Sequence, residues 1–230
     1  MTSLRGLLKK FKRPYFHIYY TFFTFAGKIL NPIALLKNSF KSNRKLEIGP
    51  GEKRIQGFET LNVVGGLNVD YVYDASRKLP FRDGTFDVVY ASHILEHIPW
   101  YMTKSVLAEW VRILKPSGAL EIWVPDGYKI CSSVVSAEQG LETEMSKDGW
   151  YRFNEHKDPY LWANGRLFTY GDGTGNVNHH NWHRAMFTPK NLIDLMERTS
   201  LENVEKMSEN EVRGYSHGWI GLGVRGTKQK

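Results

Sequence analysis

Five of the eight histidines fall into two short runs. Ser92-His93-Ile94-Leu95-Glu96-His97 is one. Asn178-His179-His180-Asn181-Trp182-His183, just before Phe187-Thr188-Pro189, is the other. Histidine is the side chain best suited to accept a proton near neutral pH. Three clustered histidines can also hold zinc, but neither a local carboxylate nor a cysteine completes an obvious fourth ligand, so no metal is expected. A third run, Glu47-Ile48-Gly49-Pro50-Gly51, ends a short apolar stretch, and its glycines let a ligand approach the backbone. Position 54, where a dinucleotide fingerprint places its third glycine, is arginine, and no Gly-Lys-Ser/Thr follows. Dinucleotide and P-loop readings therefore fail.

These residues need a scaffold, and the hydropathy pattern supplies one. Short apolar runs at 45–48, 59–64, 69–73, 86–90 and 119–124 read as strands. Val106, Leu107, Trp110, Val111 and Leu114 follow helical spacing within a helix from about 102 to 114, which Lys115-Pro116-Ser117-Gly118 stops. Thr188-Pro189 caps a helix over 189–199, and 203–207 and 220–224 add two strands. Alternating strands and helices predict an α/β, Rossmann-like, doubly wound and mostly parallel sheet. Residues 127–186 have no clear period, carry many aromatics, and read as an insertion after the fifth strand with some helix near 130–148. Only Glu52 to Phe58 separates the glycine loop from the second strand, which is too short for a regular crossover helix, so a compact turn must replace it.

Several motifs fall in order: Glu47-x-Gly-x-Gly, Asp74-Ala75 followed by Leu79-Pro80-Phe81, Phe86-Asp87-Val88-Val89, Leu95-Glu96-His97, and Leu114-Lys115-Pro116-x-Gly118. Together they resemble the class I S-adenosylmethionine-dependent methyltransferases. The nearer likeness is to the small type-11-like group associated with polysaccharide and lipopolysaccharide pathways. The likeness covers about residues 45–126, with a looser echo in 179–224.

The resemblance implies a seven-stranded sheet with S-adenosylmethionine as cofactor and S-adenosylhomocysteine as product. It implies that Gly49, Pro50 and Gly51 line the methionyl end, while Glu47 orients the loop or reaches the amino group through water. Asn62 and Val63 would meet the ribose, Asp74 and Ala75 the adenine, and Ser92 the sulfonium. The family usually has an acid at the Asn62 position, and an amide has one acceptor oxygen where a carboxylate has two. His93 and His183 would flank the acceptor, with His180 as a third catalytic candidate. His97, His179, Trp182, Tyr170 and Asp126 are candidates for acceptor binding.

The expected activity is O-methylation of a sugar hydroxyl in a glycan or glycolipid. Alternatives are an RNA, protein or small lipid or quinone-like acceptor, or a non-catalytic partner subunit with this fold.

The chain has 230 residues, a net charge of +7 and a single cysteine, Cys131, which excludes a disulfide framework and fits a reducing compartment. The charge is uneven. Residues 1–45 carry ten Lys and Arg and no acid, and the other 185 residues hold 21 cations and all 24 anions, a net of −3. A nucleic-acid partner is therefore not expected for the body. Residues 1–44 read as a basic, aromatic segment ahead of a catalytic domain at 45–230. Tyr15 to Phe25 holds seven aromatics, and the next apolar stretch is broken at Asn31-Pro32, so a spanning helix is not expected. The segment fits an anchor on an anionic membrane surface, or equally a helix capping the domain. The expected location is cytoplasmic, at the inner face of a membrane if the segment is an anchor.

Overall fold

The computed structural model describes residues 4–230 apart from Glu52, Trp150 and Tyr151, and the side chains from residue 19 onward. A long helix, α1 (Leu4–Ser39), leads into β1 (Lys45–Ile48), β2 (Glu59–Asn62), β3 (Tyr71–Val72) and β4 (Phe86–Ser92). A 3-10 turn (Leu95–His97), α2 (Thr103–Arg112) and β5 (Leu114–Pro125) follow. Then come α3 (Gly127–Glu138), α4 (Pro159–Phe168), α5 (Pro189–Glu197), β6 (Leu201–Met207) and β7 (Gly221–Lys228).

The strands form one seven-stranded sheet in the order β3-β2-β1-β4-β5-β7-β6. Strands β1 to β5 run parallel, and β7 is antiparallel to both β5 and β6. The order reverses between β1 and β4, so the cleft outside their carboxyl ends is where such a sheet binds ligands. The apolar residues of the central strands form the main core. Leu46, Ile48, Leu61, Val89, Leu120 and Ile122 pack with Val106, Leu107, Trp110 and Val111 on the inner face of α2.

Several boundaries differ from expectation. The second strand stops at Asn62, and the third keeps only Tyr71 and Val72. The helix ends at Arg112, and Lys115-Pro116-Ser117-Gly118 lies inside β5. Pairing with β4 shifts between Phe86 and Val88 at that point, Ser117 takes a φ of 62°, and a Cβ on Gly118 would sit 2.9 Å from the Lys115 carbonyl oxygen. A register irregularity thus absorbs residues that read as a helix stop. In the insertion, α3 occupies 127–138, and α4 was not expected. Asp158 caps α4 by accepting from Leu161 N–H at 2.7 Å, with Pro159 in its first turn. Described residues between Gly51 and Phe58 form turns, as the short connection requires.

Helix α1 passes through Pro32 without interruption, although proline removes one ladder bond. Tertiary contacts hold it. The Asn31 side chain donates to the Val72 carbonyl at 3.1 Å and accepts from Val72 N–H at 2.9 Å. Asn38 donates to the Tyr71 hydroxyl at 2.7 Å, Tyr71 donates to Glu59 at 2.6 Å, and Arg44 completes a buried pair with Glu59 at 2.8 Å. A Cβ on Gly27 would stand 2.3 Å from the Val72 side chain, so the helix lies close on β3.

The opposite side of α1 is different. Phe22, Phe25, Ile29, Ile33 and Leu36 recur every three or four residues, which puts them on one face, and all are exposed. Among the described residues, no helix is long and apolar enough to cross a membrane.

Candidate functional site

The parallel register brings the glycine loop after β1, Asn62 at the end of β2 and His93 after β4 to one end of the sheet. A cleft of about 580 Å³ opens there. Its walls include Gly49, Pro50, Gly51, Asn62, Val63, Asp74, Ala75, His93, His97 and His180. Most of the expected cofactor-binding residues and three of the histidines therefore share one cavity.

Two glycines shape the loop. Gly49 has a φ of 74°, and a Cβ there would lie 1.9 Å from Ile94 Cδ1. A Cβ on Gly51 would meet nothing within 4 Å, so the space beside it is open to a ligand. Glu47 is buried beneath the loop. Its carboxylate accepts from Ile55 N–H at 2.9 Å, which ties the loop back to the strand, and burial holds its pKa above the usual range. Asn62 Oδ1 accepts from the Val63 N–H at 2.9 Å. Asp74 lines the cleft with its oxygens turned to its own loop: Ser76 N–H at 2.9 Å, the Ser76 hydroxyl at 2.6 Å and Arg77 at 3.2 Å. These groups fit an amino-acid and nucleoside ligand without phosphate, because the loop offers backbone, a carboxylate and amides. When bound, S-adenosylmethionine supplies an electrophilic methyl carbon.

The histidines gather beside Glu96. His93 holds a φ of 55°, a costly backbone for a non-glycine residue. Its Nδ1 stands 3.0 Å from Glu96 Oε1, and its ring meets His217 at 3.6 Å between centroids, tilted by 35°. Backbone bonds from Arg184 and Ala185 N–H to the Glu96 carbonyl, at 2.7 and 3.1 Å, staple the His183 loop onto the Leu95–His97 turn. His97 and His183 then meet edge to face at 4.9 Å. Burial and the Arg166 cation take His93 down to about 3. Burial takes His183 down to about 4 against the pull of Glu96, and it lowers His180 as well. Burial raises Glu96. His93, His180 and His183 are thus neutral near pH 7.

Other expected residues lie elsewhere. Ser92 faces a small recess beside His93, Trp123 and His217. Asp126 does not reach the cleft, because its buried carboxylate caps α3 by accepting from Tyr128 and Lys129 N–H at 3.0 and 3.3 Å. Tyr170 is covered by Arg152 at 3.8 Å, outside the cleft lining. Trp182 donates to the Asn176 carbonyl at 2.8 Å and contributes its backbone, not its ring, to the histidine cluster. His179 faces a groove along α1. Sequence reasoning missed Glu96, His217 and Arg184, of which Arg184 lines the cleft. The signal for Glu96 was present, since it stands three residues after one histidine and directly before another.

Residues 43–122 match a family described as a methyltransferase domain. An uncharacterized protein of Haemophilus influenzae is 35% identical over 78 residues, 32% of this chain and 31% of that protein. The match thus spans about a third of that curated relative. A SAM-dependent methyltransferase from Methanosarcina mazei is 18% identical with a TM-score of 0.48, covering 85% of this chain and 97% of its own. One from Thermotoga maritima is 19% identical with a TM-score of 0.41, covering 96% of both chains. The 1,6-didemethyltoxoflavin-N1-methyltransferase of Burkholderia thailandensis is 13% identical with a TM-score of 0.47, covering 100% of this chain and 92% of its own. Residues 43–122 are thus similar to a methyltransferase domain, and they lie on the parallel part of a seven-stranded α/β sheet with a glycine loop after β1.

Proposed function

We propose that this enzyme methylates a sugar hydroxyl of a glycolipid at an anionic membrane surface. One observation carries the reading. A second groove, of about 820 Å³, runs between α1 and the His179-His180 loop, and it shares Asn62 and His180 with the cleft. Tyr20, Phe25, the stem of Lys28 and Val64 make much of its lining apolar. A polar head group would sit in the cleft while its lipid lies along the groove. Phe25 also belongs to the exposed stripe of α1, so the groove opens where that stripe would meet lipid. Lys28, Lys37 and Lys41 lie in the same stretch, which suits anionic head groups. A hydroxyl acceptor must lose a proton as the new bond forms, and the imidazoles in the cleft wall are His93, His97 and His180.

The test is transfer of labelled methyl from the cofactor to separated lipid, glycan, RNA and protein fractions of the source organism. The label should enter a lipid fraction and be released with its sugar on mild acid hydrolysis. Label confined to RNA, protein or sugar-free lipid overturns the reading. Label only in water-soluble glycan keeps sugar methylation and removes the role of the groove.

A further inference from the structure

We propose that Glu96, His97 and His183 bind a divalent transition-metal ion at the acceptor end of the cleft. Five carboxylates are buried among the described residues: Glu47, Glu59, Glu96, Glu121 and Asp126. Four of them are matched by the fold. Glu47 and Asp126 accept from backbone N–H groups, Glu59 pairs with Arg44, and Glu121 pairs with Arg213 at 2.5 Å. Glu96 alone has neither oxygen hydrogen-bonded, although its side chain is only 1% exposed. His93 Nδ1 is close to it but not aligned as a hydrogen bond. A carboxylate left this way is costly unless something else meets it.

The two flanking imidazoles are prepared to ligate. His97 Nδ1 lies 3.3 Å from the Trp182 carbonyl, and His183 Nδ1 lies 3.1 Å from the Arg166 carbonyl. A carbonyl only accepts, so in the neutral tautomer these contacts favour, Nδ1 carries the proton and Nε2 offers its lone pair. Imidazole held by its other nitrogen to a carbonyl is the usual support behind a metal ligand. One ligand atom from each of the three residues lies within 4.8 Å of the others, with His183 Nε2 4.0 Å from Glu96 Oε1. Bonds of about 2.0–2.2 Å require these atoms to close by roughly 1 Å.

Two imidazoles and one carboxylate suit zinc or a neighbouring transition metal and leave a coordination position open. His97 lines the cleft, so that position faces it, and there the ion would take an oxygen of the acceptor. This last role rests on the acceptor proposed above, whereas the ion site does not.

Metal-stripped full-length protein titrated calorimetrically with zinc alone should bind one ion per chain. Glu96→Gln and His183→Ala should each weaken binding by about 100-fold or more, while the exposed His156→Ala should bind like the parent. Absence of saturable binding, or parental affinity in both ligand variants, overturns the site. Should either variant fail to fold, the zinc absorption edge of the loaded parent protein decides the matter. Two imidazoles and a carboxylate oxygen in the first coordination shell uphold the assignment, and a shell without imidazole ends it.

Discussion

Gly49 and Gly51 look alike in the sequence, yet the fold needs one and the ligand needs the other. Gly49 is pinned by its positive φ and by Ile94, so any side chain there disturbs the turn itself. Gly51 faces open space and is free to vary until a ligand arrives. Asn62 follows the same logic. Its one acceptor oxygen already holds Val63 N–H, which leaves a single lone pair and the N–H groups for a ribose. Aspartate could keep that bond and offer a second oxygen. Asn62→Asp should therefore tighten cofactor binding by about 1 kcal/mol, roughly fivefold, by calorimetry. Unchanged or weaker affinity would remove Asn62 from the ribose site. At this scale the glycine loop was legible because its backbone demand is local. Asp126 was not, since a carboxylate after a strand can equally enter a cleft or cap a helix, and only the path of the next residues decides.

At the scale of elements, α1 shows why a hydropathy break need not be a structural one. Asn31-Pro32 interrupts an apolar run, but Asn31 lies on the inward face and satisfies both backbone groups of Val72. Asn31→Ala leaves a buried donor and a buried acceptor unmatched. It should cost about 2–4 kcal/mol in urea unfolding. A loss below about 0.5 kcal/mol would show that water or backbone adjustment replaces the amide. The partner of Asn31 is 41 residues away, which no local pattern reports. Helix α4 was missed for the opposite reason. Its Asp158-Pro159 start carries the same cap and proline as Thr188-Pro189, but the apolar spacing behind it is weak, since only Trp162 and Ala163 are buried.

At the scale of the molecule, the net charge of +7 misleads until it is divided. Ten cations without an acid precede Glu47, and the rest of the chain is slightly negative. The mostly parallel sheet was legible from its succession of short apolar runs, but its strand order was not, since no helix separates β1 to β4 among the described residues. The packing of α1 did not follow, because composition does not distinguish a docked helix from an interfacial one. One face of α1 packs on β3, and the other turns apolar side chains outward. Full-length protein should co-sediment with vesicles containing anionic lipid, weaken as salt rises, and ignore neutral vesicles. Replacing Phe25, Ile29 and Ile33 with serine should abolish sedimentation without shifting the unfolding midpoint. Equal binding by that variant would refute the lipid-facing role of the stripe.

The bond pair between Asn31 and Val72 also has a consequence for how copies of this protein treat one another. Strand β3 ends the sheet, and a terminal strand with bare N–H and C=O groups is a template on which a second chain can add a strand. Asn31 occupies those groups at Val72 with an amide that imitates a neighbouring strand but cannot be extended. A chain shortened past residue 40 would expose that template together with the apolar side chains beneath it. Such a truncated protein should form oligomers through β3, whereas the intact helix closes that edge of the sheet at Val72.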